Sequence, residues 1–246
     1  MFPLRDENPT NLTPWVTAGF VAANVLVWLY LQGGGLNEQT LASSVCSFGA
    51  IPAEITGQTG GYSGVELAPG LPPCRFGGLT WATAFTSMFL HGSWFHLLGN
   101  MWFLWLFGNN VEDSMGHVRF ALFYLICGLA GAAAHIFLAP DSPIPTVGAS
   151  GAISGLMGGY LVLYPRVKIQ TIFLFVFIVR IIAVPAWFVL ILWFAIQLFS
   201  GWAEPAAGGG GVAFWAHVGG FAAGVLLVKL FENRALVTAH LHGTPA

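Results

Sequence analysis

The sequence predicts an all-α protein, a polytopic bundle of six transmembrane helices. Of its 246 residues, 56% are hydrophobic and only 7% are charged. An ordinary soluble domain carries about 25% charged residues. So few charges cannot cover a water-soluble surface, and the apolar residues fall in runs long enough to cross a bilayer. The sequence therefore excludes a soluble globular protein and indicates lipid as its surroundings.

Charge and cysteine spacing exclude several kinds of partner and cofactor. The net charge is −2 and there is no basic cluster, so no nucleic acid partner is expected. The three cysteines lack CxxC or Cys/His spacing, so neither a metal site nor a cofactor is expected. Cys46 and Cys74 can pair, but only if their loop faces an oxidising compartment.

The first transmembrane span is predicted at residues 14–32. The polar leader before it, residues 1–13, is expected to be cytoplasmic. No small-x-small cleavage site precedes GGGLNEQT, so the span is expected to be retained. Residues 33–79, rich in Gly and Pro, form the longest polar segment and are predicted to be an external loop.

Five further spans are predicted in a core at residues 80–231, each near the about 20 apolar residues that a membrane helix needs. Residues 169–182 are expected to be an interfacial or re-entrant piece, because Arg180 is costly in mid-membrane. A short cytoplasmic tail follows at residues 232–246. The predicted spans of the core are residues 83–108, 119–138, 150–164, 184–200 and 212–231.

The basic residues predict the orientation. With both termini in the cytoplasm, seven of the eight Lys and Arg residues lie on the cytoplasmic side, and only Arg75 lies outside. This is a strong positive-inside bias. The seven are Arg5, Arg119, Arg166, Lys168, Arg180, Lys229 and Arg234.

Histidines are unexpected in such an apolar chain, and His91, His96 and His217 fall within predicted spans. Ionisable groups there usually face a bundle interior or a water-filled cavity. The run HGSWFHLLGN places His96 and Asn100 four residues apart, so both project from one helix face. Taken singly, each histidine fits a structural hydrogen bond as well as a functional role.

Two runs of small residues suggest that the fourth and sixth spans pack closely. GASGAISGLMGG begins a helix near Ser150, and AHVGGFAAG surrounds His217. Small residues four apart let helix backbones approach, which would bring Ser150 to His217. Generic packing by glycine remains the alternative. The two ridges are Gly151, Gly155 and Gly159 on one helix, and Ala216, Gly220 and Gly224 on the other.

Depth within the bilayer supports one shared site. At about 1.5 Å per residue, Ser150 lies about 9 Å, His217 about 8 Å and His96 about 12 Å below the outer edge of the hydrocarbon core. The fourth span then begins inside the membrane, which requires a cavity around it. Its N-terminus carries unpaired N–H groups that suit an oxyanion.

These residue types are the parts of acyl-transfer chemistry. A serine can act as nucleophile, a histidine as general base, and a His/Asn pair as hydrogen-bond donors. The nearest acidic residues, Glu112 and Asp113, fall at the cytoplasmic end of the second span, where a solvated or helix-end role is expected. A Ser/His dyad is therefore favoured over a triad.

The sequence resembles the rhomboid family of intramembrane serine proteases, in its six-span bacterial form. Three blocks carry the resemblance across residues 80–231. HGSWFHLLGNMWFLWLFGNNVEDSMG resembles the second-span block, GASGAISG the GxSG nucleophile motif, and AHVGGFAAG the sixth-span histidine motif. The resemblance implies that Ser150 is the nucleophile and His217 its base. It also implies an oxyanion hole made by His96, Asn100 and the Ser150 backbone N–H.

The resemblance further implies that His91 supports the site or its water, and that Gly148 and Gly151 flank the nucleophile. Two positions depart from the family pattern. Trp81-Ala82 stands where many relatives carry Trp-Arg. An aromatic residue often follows the serine by four positions and supports the histidine ring, but this chain has a serine there. The candidates for that support are Phe214, Trp215 and a hydrogen bond from Ser154.

The function implied is that of an intramembrane serine endopeptidase, which cleaves transmembrane helices of membrane-protein substrates near their outer ends. The expected location is a bacterial inner (plasma) membrane, with both termini cytoplasmic. Two alternatives are a non-proteolytic rhomboid-like protein that binds membrane proteins for quality control and a small histidine-lined channel. A metalloprotease is disfavoured because HExxH is absent.

Overall fold

The computed structural model describes residues 2–61, 63–77, 80–175, 178–203 and 212–242, without the side chains of residues 175, 178 and 240–242. Residue 1 of the predicted leader, residues 62, 78 and 79 of the predicted external loop and residues 243–246 of the predicted tail lie outside these ranges.

The first part of the chain contains one long apolar helix followed by short elements. Asn37 caps α2 with its side chain, which accepts a hydrogen bond from the Thr40 backbone N–H. A disulfide between Cys46 and Cys74 ties α2 to β3. In order, the elements are β1 (Phe2–Asp6), α1 (Trp15–Leu26) with its π-helical extension (Val27–Leu31), α2 (Glu38–Phe48), α3 (Pro52–Thr56), β2 (Gly64–Val65), β3 (Cys74–Arg75) and α4 (Thr83–Thr86).

The second part holds the remaining long helices and a β-hairpin. In order, its elements are a 3-10 turn (Ser87–Phe89), α5 (Trp94–Met115), α6 (His117–Leu138), α7 (Ser150–Leu163), β4 (Lys168–Phe175), β5 (Ile178–Pro185), α8 (Ala186–Ala203), α9 (Phe214–Phe231) and α10 (Arg234–His242).

The prediction of a helical membrane bundle is confirmed. Among the described residues, α6, α8 and α9 are long and apolar enough to cross a bilayer. The segment Trp15–Leu31 and α7 are shorter apolar helices. The count of six spans stays a prediction.

Helix α5 differs from the predicted second span. The predicted stretch, residues 83–108, divides into α4, the 3-10 turn and α5, because Ser93 caps a new helix by accepting a hydrogen bond from the His96 backbone N–H. His91 therefore lies in the turn before α5 and not within a helix. The inner end extends to Met115, beyond the expected exit at Gly108.

Glu112 and Asp113 are buried, so the solvated role considered for them is wrong and the helix-end role is right. Glu112 accepts hydrogen bonds from the backbone N–H groups of Val16 and Thr17, in the first turn of α1. Asp113 accepts one from Leu12. Carboxylates satisfy the open N–H groups of a helix N-terminus, and these two fix the start of α1 to the C-terminal end of α5.

The core is built around α7, which packs against α5, α6 and α9. All of its residues from Gly151 to Tyr160 are buried. Near its C-terminal end, the Tyr160 hydroxyl donates a hydrogen bond to Asp6 of β1 over 2.6 Å. The helix that begins with Ser150 is therefore enclosed along most of its length.

A three-stranded antiparallel sheet occupies the region predicted to be an interfacial or re-entrant piece. Its order is β1-β4-β5, with Phe2 opposite Ile172 and Thr171 opposite Ile182. The region is rich in β-branched and aromatic residues, which favour strands. The sequence analysis foresaw no strand, because a continuous apolar run does not distinguish a strand from a membrane segment.

The predicted external loop covers the segment that leads into α7. Ala50 and Thr146 form an antiparallel bridge. The Ala53 backbone N–H donates to the Ser142 carbonyl over 2.9 Å, and the Thr56 hydroxyl donates to the Pro140 carbonyl over 2.6 Å. These contacts place the loop and its disulfide at the same end of the bundle as Ser150.

Candidate active site

Ser150 and His217 meet at the N-terminal ends of α7 and α9. Ser150 is the first residue of α7, and His217 lies in the first turn of α9. The Ser150 Oγ lies 2.7 Å from the His217 Nε2. This is hydrogen-bond distance, as a nucleophile and its general base require.

Backbone contact between α7 and α9 produces this proximity. A Cβ atom on Gly220 would lie 2.0 Å from the Gly151 carbonyl oxygen, and one on Gly224 would lie 2.0 Å from the Gly155 carbonyl oxygen. No side chain fits at such distances. The two glycine ridges seen in the sequence therefore face each other, and the close approach depends on them.

Gly148 lies between the His96 ring and Ser150. Its φ of +129° is in the region that favours glycine, and its backbone N–H donates to the Ser87 carbonyl over 2.9 Å. A Cβ there would lie 2.8 Å from His96 Nε2 and 3.5 Å from Ser150 Oγ. Gly148 thus lets the His96 ring approach Ser150. Gly151 has more room, since a Cβ would lie 3.6 Å from the nearest atom, the Ala216 carbonyl oxygen.

His96 presents its Nε2 to the site. The Gly92 backbone N–H lies 3.3 Å from the His96 Nδ1 and donates to it. A neutral imidazole that accepts at Nδ1 carries its proton at Nε2. The atom beside Gly148 is then an N–H donor.

Asn100 lies one turn further along α5 and lines the same cavity as His96. It is buried, and its Nδ2 donates to the His96 carbonyl over 3.0 Å. Since an amide nitrogen carries two hydrogens, a second N–H remains after this bond.

His91 contacts the His96 ring and is not among the described residues that line the cavity. Its ring packs edge-on against the His96 ring, with 5.0 Å between ring centroids. The Gln32 side chain makes two hydrogen bonds to the His91 backbone: its Nε2 donates to the His91 carbonyl, and its Oε1 accepts from the His91 N–H. The sequence analysis missed Gln32. Its only signal was a polar side chain at the end of an apolar span.

A cavity of about 320 Å³ lies beside Ser150 and His217. Phe95, Gly99 and Phe103 line it from α5, and Trp193 lines it from α8. Phe95 is 90% exposed. The cavity therefore reaches the surface of the bundle beside Phe95.

Of the three candidates for the support of the His217 ring, the structure favours Phe214. The Ser154 hydroxyl donates to the Ser150 carbonyl over 2.6 Å, in its own helix, so it is not a donor to His217. Phe214 lies edge-on to the ring, with centroids 6.4 Å apart, whereas Trp215 lies beside Gly201.

Two residues of α8 contact the His217 ring, and the sequence analysis named neither. Trp193 lies 5.9 Å away between ring centroids, at a tilt of 36°. Gln197 places its Oε1 2.7 Å from the His217 Nδ1. The one signal in the sequence was a glutamine in an otherwise apolar stretch.

The chain is similar to proteins of one known family. The model of the Rhomboid domain family matches residues 79–234. The chain is 32% identical over 153 residues to the rhomboid protease GluP of Bacillus subtilis (strain 168), covering 61% of this chain and 25% of that protein. It is 31% identical over 238 residues to RHOMBOID-like protein 4 of Arabidopsis thaliana, covering 87% of this chain and 52% of that protein.

A third relative is the mitochondrial RHOMBOID-like protein 6 of Arabidopsis thaliana, 28% identical over 174 residues, which cover 64% of this chain and 54% of that protein. The chain thus spans between a quarter and about half of the length of these relatives. Because the family model matches more than half of the chain and the bundle carries apolar helices, the protein is an integral membrane member of the rhomboid family.

Proposed function

We propose that the protein is an intramembrane serine endopeptidase that works with a dyad of Ser150 and His217. The observation that carries the proposal is the 2.7 Å separation between the Ser150 Oγ and the His217 Nε2. Membership of the rhomboid family supports intramembrane protease activity in general, and one relative bears the name of a protease.

The reaction begins when the Ser150 Oγ attacks the scissile carbonyl and its proton moves to the His217 Nε2. The His217 imidazolium then gives this proton to the leaving amine, and the acyl group stays on Ser150. Water, activated by the same nitrogen, hydrolyses the acyl-enzyme and restores the serine. The His217 Nε2 carries one proton at a time: it takes the serine proton, gives it to the leaving amine, takes a proton from water as the hydroxide attacks the acyl group, and returns it to the Ser150 Oγ as the ester bond breaks.

The oxyanion hole in this proposal has three donors. The Ser150 backbone N–H is at the N-terminus of α7, where the helix leaves it without an intrahelical acceptor. The His96 Nε2–H and the second Asn100 N–H are the other two. Gly148 keeps the space between these donors and Ser150 open, as its contact distances indicate.

The substrates in this proposal are transmembrane helices, cut near their outer ends. An unwound segment enters the cavity from the lipid side, between α5 and α8, where Phe95 is exposed. The disulfide supports our choice of the outer side, since disulfides persist in oxidising compartments. Both termini are then cytoplasmic, and the membrane is a bacterial inner (plasma) membrane.

The test uses the purified protein with a fluorophosphonate probe and a fluorogenic transmembrane-helix substrate in proteoliposomes. The wild type should be labelled and should cleave, whereas Ser150→Ala should lose both and His217→Ala should lose at least about 1,000-fold in cleavage. Ser200→Ala, on α8, is the matched control and should behave as wild type.

Labelling that persists in Ser150→Ala would overturn the assignment of the nucleophile. Undiminished cleavage by His217→Ala would overturn the assignment of the base. A folded wild type that is neither labelled nor cleaves any transmembrane helix, yet still binds one, would support the non-proteolytic alternative.

A further inference from the structure

Three residues of α8 form a stripe against the first half of α9. Trp193, Gln197 and Gly201 follow each other at intervals of four residues, so they lie on one helix face. A Cβ on Gly201 would lie 3.1 Å from the Phe214 Cβ, so α8 comes close to α9 at this point. The Gln197 side chain thereby reaches His217 on the side of the ring opposite Ser150.

We propose that Gln197 is a positioning residue, which holds His217 in the tautomer and ring orientation needed to take the proton of Ser150. This rests on the proposed function of the Ser150 and His217 pair. Gln197 takes the place that an acidic side chain has in a triad, and it does so without a charge. Its action on the reaction passes through His217.

The hydrogen-bond inventory of the two side chains gives the tautomer. The Gln197 Oε1 can only accept, so its contact of 2.7 Å requires the proton of the neutral imidazole to be on Nδ1. The Nε2 then carries the lone pair, 2.7 Å from the Ser150 Oγ. With the other tautomer, Nε2–H would face Ser150 and could not accept its proton.

A neutral amide suits this place better than a carboxylate. Ionised side chains inside a membrane are costly unless they are paired. When Nε2 takes the serine proton, His217 becomes a cation, and the amide dipole of Gln197 already faces its Nδ1–H. The amide stabilises this cation, yet no anion has to be buried while the enzyme is at rest.

The other neighbours of the ring do not supply this function. Trp193 and Phe214 contact the ring by packing, which limits its tilt but does not distinguish one nitrogen from the other. Ser154 is engaged with the Ser150 carbonyl. The Gln197 contact is therefore the one that can select a tautomer among the ring contacts described above.

The experiment compares Gln197→Met with Gln197→Glu in purified protein. Methionine keeps the length of the side chain and removes the acceptor, so kcat should fall about 100-fold with KM changed by less than about threefold. Glutamate presents an acceptor oxygen in either protonation state, so kcat should stay within about tenfold of wild type. Asn24→Leu removes an amide from α1, where it bonds to its own helix, and should leave kcat unchanged.

Nitrogen NMR of 15N-histidine-labelled protein provides a readout that needs no activity, with the His217 signals assigned by their loss in His217→Asn. The wild type should show a protonated Nδ1, and Gln197→Met should shift the signals toward protonated Nε2. A protonated Nε2 in the wild type would overturn the proposal, even if Gln197→Met failed to fold.

Kinetics separate this proposal from the proposed function. Unchanged kcat in a folded Gln197→Met, together with an inactive Ser150→Ala, would overturn the role of Gln197 and leave the dyad intact. An inactive wild type would overturn the dyad, and the NMR spectra would still show whether Gln197 selects the tautomer.

Discussion

Helix α9 meets α7 through backbone atoms and α8 through side chains. Toward α7, Gly220 and Gly224 bring the two backbones together. A Cβ atom added to either glycine would lie 2.0 Å from a backbone carbonyl oxygen of α7. Toward α8, Phe221 stacks on Phe194, with ring centroids 4.6 Å apart, and His217 contacts Gln197. The distance between the helices that carry Ser150 and His217 is therefore fixed by glycine, whereas the orientation of the imidazole depends on a neighbour that can shift.

The difference separates two tasks of an active site. A backbone contact has no rotamers, so it sets a distance that few thermal motions can change. A side-chain contact holds an angle and can give way by a rotamer change. We expect substitutions on the α7 face of α9 to affect folding, and those on the α8 face to affect the rate of catalysis.

The largest effect is expected for Gly220→Ala. The new methyl group would collide with the Gly151 carbonyl at 2.0 Å, and a backbone cannot yield as a side chain does. We expect a loss of about 3 kcal/mol in the free energy of unfolding, with loss of probe labelling at Ser150. Unfolding in mixed micelles measures the first, and gel fluorescence of the probe the second.

Gly19→Ala, on α1, is its control. No atom lies within 4 Å of its virtual Cβ, so the variant should be as stable as wild type or more stable by up to about 1 kcal/mol. Equal losses of stability in Gly220→Ala and Gly19→Ala would show that the loss does not come from the contact of Gly220 with α7.

A smaller effect is expected for Phe194→Ala, which removes the stacked ring between α8 and α9. The stacking contributes about 1 kcal/mol, and lipid can refill the partly exposed site. Cleavage should fall more than probe labelling, because a loosened α8 alters the cavity wall that carries Trp193. A loss of stability as large as that of Gly220→Ala would contradict the distinction between the two faces.

The smallest effect is expected for Gly201→Ala, the counterpart of Gly220→Ala on the α8 side. The new methyl group would lie 3.1 Å from the Phe214 Cβ and 3.3 Å from a ring atom of Trp215, so a shift of a few tenths of an ångström relieves the contact, whereas Gly220→Ala requires more than an ångström. The free energy of unfolding should change by no more than about 0.5 kcal/mol. Unfolding in the same micelles checks this, and a change comparable to that of Gly220→Ala would remove the contrast.

The sequence predicted the parts of the site that rest on helix periodicity. Glycines at intervals of four residues on two spans indicated a close contact, and the structure brings Ser150 to within 2.7 Å of His217. The catalytic roles of these residues stay predictions. The spacing of His96 and Asn100 likewise indicated one helix face, and both residues line the cavity.

The parts that the sequence did not predict depend on contacts between distant residues. Gln197 and Gln32 are single polar residues in or beside apolar stretches, and nothing local indicates that their partners are His217 and His91. The sheet was missed for a related reason. An apolar run such as residues 169–182 fits a strand and a membrane segment equally well, until β1 supplies a partner.

The pairing of β1 with β4 has a consequence for biosynthesis. Phe2 is opposite Ile172, and Asp6 bonds to Tyr160 of α7, so the residues of β1 gain these partners only after more than 150 further residues have been translated. Contacts of such long sequence separation form late, because the intervening chain must first be ordered. We expect β1 to find its place in the sheet only after α5, α6 and α7, which lie between β1 and β4 in the chain, have been inserted.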